Sequence, residues 1–182
     1  MHNASQPQPS RLLRAGDVLA DALVRELLDA RLVAVFCTTE ADGVVHAVPM
    51  WFAAVPDAIA LATSSRSRKA ANLAVEPRAT LVVHDSRSGT DICGVSIRGR
   101  AELVEGPAGR ALVDAVHARY LTPEGLTLPA AAEFLASDDV AFRFVPESAF
   151  TWDERASRAT AALRASGGAM PLLPTSPRGD DR

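Results

Sequence analysis

Three serines and three cations crowd one short stretch of this chain: Ser64, Ser65, Arg66, Ser67, Arg68 and Lys69. A bound phosphate needs backbone N–H groups at a helix start, hydroxyl donors and compensating positive charge. Residues 65–69 offer all three, provided that a helix begins there. An exposed basic helix start is the alternative. Cations at a helix N-terminus oppose the macrodipole, so this cluster is locally unfavourable until an anion reverses the sign. Lys69 is also the only lysine in a chain whose other basic positions are arginine.

The elements around the segment can be read from periodicity. Residues 1–16 are polar with two prolines and are expected to lack structure. From Asp17, a plausible N-cap, apolar positions recur at helical spacing to about Arg31. A β-rich run over 32–37 leads to Asp42-Gly43, a tight-turn pair, and the chain resumes as strand over 44–55. Pro49 inside that strand implies an edge, a bulge or a break in the ladder. A third strand over 58–63 runs into the serine-rich segment. Ser67 then caps a short helix ending before Pro77.

Further strands are predicted over 80–84, 93–104 and 140–145, with helices over 107–120 and 128–136. Residues 153–165 can form a loose Ala/Arg helix. The segment 156–182 as a whole reads as a disordered tail, rich in Gly, Pro and Ser from residue 167. This order argues for one domain over 17–155, an antiparallel barrel with peripheral helices, and against the alternating units of a parallel sheet.

Composition narrows the functional classes. The chain has 182 residues, 48% of them hydrophobic, and a formal net charge of −3. One compact domain with a real core fits this length, and no global field draws the protein to nucleic acid or an anionic membrane. Cys37 and Cys93 lie far apart in apolar runs without metal-ligand spacing, which reads as two free thiols in a reducing cytoplasm. No apolar run approaches membrane-spanning length. Walker loops, Gly-rich dinucleotide fingerprints and nucleophile elbows are absent, and His46, His84 and His117 make no metal pattern.

Four pieces together resemble the pyridoxamine 5′-phosphate oxidase-like superfamily of FMN-binding split barrels. They are Thr63 followed by Ser67, Arg68, Lys69 and Ala70; the strand from Ala47 through Val48, Pro49, Met50 and Trp51 to Phe52; the strand Val95 to Leu103 with Gly99 inside it; and Val145-Pro146 leading to Phe150 and Trp152. The Val-Pro-x-Trp-Phe form is similar to the flavin/deazaflavin oxidoreductase branch. The resemblance covers about residues 20–155 and implies a mainly β fold, a six-stranded antiparallel split β-barrel with peripheral helices.

Carried over position by position, the resemblance implies that Arg68 and Lys69 bind a cofactor phosphate, with Thr63 and Ala62 beside it. Val48, Pro49, Met50 and Trp51 would lie along the ring, and Trp152 would reach the cofactor of a homodimer partner. Trp51 and Phe52 as plain core residues, and Trp152 as a cap on the barrel end, are the alternatives. The implied activity is hydride transfer between coenzyme F420 or FMN and a small organic substrate. A non-catalytic flavin, F420 or tetrapyrrole carrier is a second reading, and a haem protein using His46 or His84 a third. Two departures argue against pyridoxamine phosphate as substrate. Gly94 stands where those oxidases carry a flavin-binding Gln, and their Arg-Leu-His-Asp-Arg motif is missing after Trp152.

Overall fold

The computed structural model describes residues 10–86, 89, 90, 92–129, 131 and 138–168. Its strands are β1 (Arg11–Arg14), β2 (Ala34–Thr39), β3 (Val45–Met50), β4 (Phe52–Val55), β5 (Ala58–Ser64), β6 (Arg78–Ser86), β7 (Ile92–Val104) and β8 (Asp139–Asp153). Helices are α1 (Ala15–Val18), α2 (Ala22–Asp29), α3 (Arg68–Val75), α4 (Gly106–Tyr120), α5 (Pro123–Leu126) and α6 (Arg158–Ala165). The strands pair antiparallel in the order β3-β2-β6-β7-β8-β5-β4, with β1 added to β8. Since β3 and β4 are successive and part only at Trp51, the two ends of the path meet there and the sheet curls onto itself. Counting β3 and β4 as one bent stave gives the six expected, and β1 is extra.

Alternation along the strands sends one face inward. Phe36, Phe52, Phe144, Ile59, Leu61, Leu81, Ile97, Val83 and Val95 are fully buried. At the centre the rings of Phe36 and Phe144 meet edge to face, their centroids 5.9 Å apart. Helix α2 adds Val24, Leu27 and Leu28 to this core. Helix α4 packs Val116 on Ala53 and Ala60 in a separate small cluster outside it.

The structure corrects the expected limits. Residues 11–14, placed in a disordered lead, form β1, with Leu12 opposite Phe150 and Leu13 opposite Ala149. The first helix does not run from 17 to 31. Asp21 has extended φ/ψ and accepts from Leu23 N (3.0 Å) and Val24 N (3.2 Å), so α2 starts there, and Arg11 pairs with the same carboxylate at 2.8 Å. Part of the expected tail is also ordered. Ser157 caps α6, and Thr160 Oγ1 donates to the carbonyl of Thr90 at 2.9 Å, anchoring the helix to the barrel. Most of the helix expected over 128–136 lies outside the described residues.

A bulge between β7 and β8 sits at Arg98/Gly99. A Cβ on Gly99 would lie 2.2 Å from the carbonyl oxygen of Val145 and 3.0 Å from the Phe144 ring. Backbone cannot rotate aside as a side chain can. Gly99→Ala should therefore cost about 1–3 kcal/mol of stability, measured by denaturant unfolding. A cost near zero would show that the bulge is soft.

Acid should loosen the far end of β8. Arg155 makes a two-point contact with Asp153 (2.9 and 2.7 Å) and also bonds Glu26 of α2. Hydrogen bonding to Arg155 holds the Asp153 carboxyl below its usual range. A carboxyl lowered in the folded state stabilises above its unfolded pKa, and that contribution is lost as pH falls through the lowered value. Thermal midpoints should fall below about pH 4, and less steeply in Arg155→Gln; equal slopes would mean this contact adds nothing.

Candidate functional site

The site grows from the end of β5. After Thr63 and Ser64 the chain turns (Ser67 N donates to Ser64 O, 3.0 Å), and Ser67 caps α3 by accepting from Ala70 N at 3.2 Å. The expected helix start is therefore present, with Arg68 and Lys69 in its first turn. Thr63 Oγ1 donates to Ser67 Oγ at 3.2 Å and joins the strand end to the cap. Lys69 is half-buried, and burial lowers its ammonium pKa while Asp139 acts in the opposite direction.

The opposite wall is the break between β3 and β4. Pro49, opposite Val35, has no N–H to give the ladder, and the strand leaves its pairing two residues later at Trp51. Tyr120 of α4 fastens this break. Its ring stacks on Trp51 with centroids 4.8 Å apart and planes 10° apart. Its hydroxyl donates to Leu32 O at 2.6 Å and accepts from Phe52 N at 3.4 Å.

Between these walls lies a pocket of about 340 Å³. It brings together six of the predicted site residues: Pro49, Met50, Trp51, Ala62, Thr63 and Lys69. Three others do not line it. Val48 is half-buried opposite Phe36, with its side chain on the face of β3 shared with buried Met50. Arg68 is turned away, 65% exposed, with Nη1 3.1 Å from Glu40 Oε1. Trp152 lies at the other end of β8 from Asp139, over Gly94, where a Cβ would come within 2.2 Å of its ring. Gly94 thus leaves room for Trp152, which a glutamine in its place would displace.

The pocket also holds Ser64, from the serine-rich segment, and two polar residues that the sequence did not point to as part of the site: His117 and Asp139. His117 is 3% exposed, and its Nε2 lies 3.4 Å from Asp139 Oδ2. Asp139 arrives because β8 pairs with β5 and sets Ser64 opposite Asp139. Its neighbour Asp138 grips the serine turn: Ser64 Oγ and Ser65 Oγ donate to it at 2.8 and 2.6 Å, and Arg66 Nε lies 3.2 Å away. These serine hydrogen bonds hold the Asp138 carboxyl below its usual pKa. No local motif announces either aspartate; only strand register brings them in. Two carboxylates therefore already answer Arg66 and Arg68, which weakens the argument that the cluster needs an external anion. Among the described residues, Lys69 has no carboxylate within ion-pairing distance.

No group of three or more metal-ligating side chains occurs among the described residues. No described helix is long and apolar enough to cross a membrane. A family model for pyridoxamine 5′-phosphate oxidase matches residues 20–153, most of the barrel and its site. The chain belongs to this family. A solved structure of a conserved hypothetical protein from Mycobacterium tuberculosis is 26% identical, with TM-score 0.64, over 85% of this chain and 91% of that one. An F420 reductase shares the fold at 23% identity and TM-score 0.55, covering 69% of this chain and 94% of its own. So does a heme storage protein from Vibrio cholerae, at 17% identity and TM-score 0.59 over 71% and 92%. No curated protein matches the sequence.

Proposed function

We propose that this family member binds a flavin-type cofactor, F420 or FMN, and is an oxidoreductase acting on a small organic substrate. One observation carries the reading: a single pocket joins the apolar break at Pro49, Met50 and Trp51 to Lys69, Thr63 and Ser64. A half-buried lysine whose charged form is penalised by burial gains from an anion, and the Thr63 and Ser64 hydroxyls beside it, which here donate to Ser67 Oγ and Asp138, would turn to phosphate oxygens when an anion binds. Lys69, Thr63 and Ser64 would hold the phosphate. Pro49, Met50, Trp51 and Ala62 would flank the ring and exclude water. Once bound, the cofactor supplies hydride chemistry, so the protein needs no nucleophile or metal of its own.

The pocket volume is at the low end of small-molecule sites, roughly 300–1,000 Å³. A second copy completing the site is part of the proposal. Its support is an apolar outer face of the sheet, where Leu12 (84% exposed) stands opposite Phe150 (42%), beside Trp152. The F420 reductase of the same fold favours a deazaflavin, and the heme storage protein keeps a tetrapyrrole in view. Neither His46 nor His84, the residues expected to ligate haem, lines the pocket; the histidine that does, His117, faces Asp139.

Absorption spectra during titration of the purified protein with FMN, F420 and haem test the reading. A flavin or deazaflavin should bind and its band should shift. Binding of haem alone would replace the reading, and binding of none would overturn it. Sedimentation should show a dimer; a monomer that still binds cofactor would remove the role of a second copy.

A further inference from the structure

Two largely buried ionisable groups in the pocket play no part in the reading above. His117 lies on the inward face of α4 with Val113 and Val116, and Asp139 opens β8. Their facing atoms, Nε2 and Oδ2, are 3.4 Å apart, with the side chains 4% and 12% exposed. An apolar pair of similar volume would often be as stable or more so, and packing alone does not call for these residues. Asp139 also borders a second hollow, of about 260 Å³, between the end of β7 and the start of α4, with Glu105, Gly109 and half-exposed Arg110 on its wall. Asp139 is the residue that this surface hollow and the 340 Å³ pocket share. Other charges nearby are already engaged. Strands β4 and β5 bring none. Glu102 of β7 lies 3.7 Å from Arg143 of β8, and Arg110 lies 2.7 Å from Asp114 on α4. Arg119 donates to the carbonyls of Leu28 and Ala30, and Asp138 is held by the serine turn.

The titratable side chains lining the pocket are Lys69, His117 and Asp139. With Lys69 given to the phosphate, the pair remains. A hydride added to a flavin-type ring brings one negative charge until a proton follows, and a half-buried site screens that charge less than bulk water does. We propose that Asp139, positioned by His117, is the proton inlet of this site. While the bound cofactor is reduced, the pair holds one extra proton, taken from solvent through the outer hollow. The hydride then passes to a carbon of a polarised double bond in the substrate. The π electrons of that bond take the proton from the pair onto the neighbouring atom. The cofactor is left oxidised, the substrate has gained two hydrogens, and the pair returns to carboxylate and neutral imidazole. This rests on the cofactor-binding reading above and adds the proton path that its hydride chemistry needs.

The test needs no substrate. The protein is loaded with whichever of FMN and F420 binds, and its two-electron midpoint potential is measured against reference dyes from about pH 5 to 8, where imidazoles titrate. Each proton taken up with the two electrons steepens the slope by about 30 mV per pH unit. The wild-type slope should exceed that of His117→Gln by up to this amount near neutral pH. Asp139→Asn should flatten it in the same way and serves if His117→Gln does not fold. A pair kept only for structure would alter stability and leave the slope alone. In the wild type itself, the His117 imidazole resonance, assigned in labelled protein, should move to its protonated position when the bound cofactor is reduced. Equal slopes in wild type and a folded variant, or a His117 resonance that does not move, overturn the proposal while the cofactor reading stands. If neither cofactor binds, the cofactor reading itself falls.

Discussion

Phe144→Ala should cost about 3–5 kcal/mol, a large share of the roughly 5–15 kcal/mol that holds a domain together. Phe144 is fully buried on β8, where that strand pairs on both sides, with Ile59 on β5 and Ala101 on β7. Its ring meets Phe36 from β2 across the barrel and lies where a side chain on Gly99 would point. Removing it opens a cavity bounded by hydrogen-bonded strands, which cannot collapse inward as a loop would. A fall of roughly 6–20 °C in thermal midpoint is expected for a chain of this size. Phe144→Leu, which fills part of the space, should cost less. An alanine variant within about 1 kcal/mol of wild type would show that the barrel closes on other contacts.

Lys69→Ala should reduce cofactor affinity by about 1.5–3 kcal/mol, or roughly 10- to 150-fold, the range for a hydrogen bond to a charged group. A control separates binding from folding. The folded-state pKa of Lys69 is lowered by burial first, with Asp139 opposing. A lysine with a lowered folded pKa works against stability at neutral pH, and that cost is relieved as pH rises through the folded value toward the unfolded one. Lys69→Met should therefore leave the cofactor-free protein as stable as wild type or slightly more so, while binding is lost. A lysine kept only for structure would show the reverse. Wild-type affinity should also weaken as pH climbs through the lysine pKa, and Lys69→Arg, which stays charged, should not show that limb. Unchanged affinity in Lys69→Ala would place the phosphate elsewhere.

Much of the site was legible locally. Ser67 caps α3, Asp42-Gly43 turns the β2–β3 hairpin with Gly43 at φ 86°, and Pro49 precedes a break in the ladder. Each depends on a few neighbouring residues. The carboxylates were not legible, because Asp138 and Asp139 reach the serine turn only through the β5–β8 register, and Glu40 only through the hairpin. Tyr120 is the last residue of the helix expected over 107–120, and nothing in that periodicity shows that its hydroxyl and ring hold the strand break open. The helix boundary failed for a local reason: two aspartates compete as N-cap. Asp21 takes the role with two amide bonds and an arginine partner.

The sequence by itself determined the cation-rich helix start at residues 65–69, the alternation that builds the barrel staves, and a family pattern spread over them. These follow from propensity, periodicity and capping, which act over a few residues. Tertiary structure alone decided the charge of the site. Strand pairing across more than seventy residues brings in the aspartates that answer Arg66 and face Lys69. Electrostatic balance is a sum over space, and the chain order does not contain that sum until the sheet has closed.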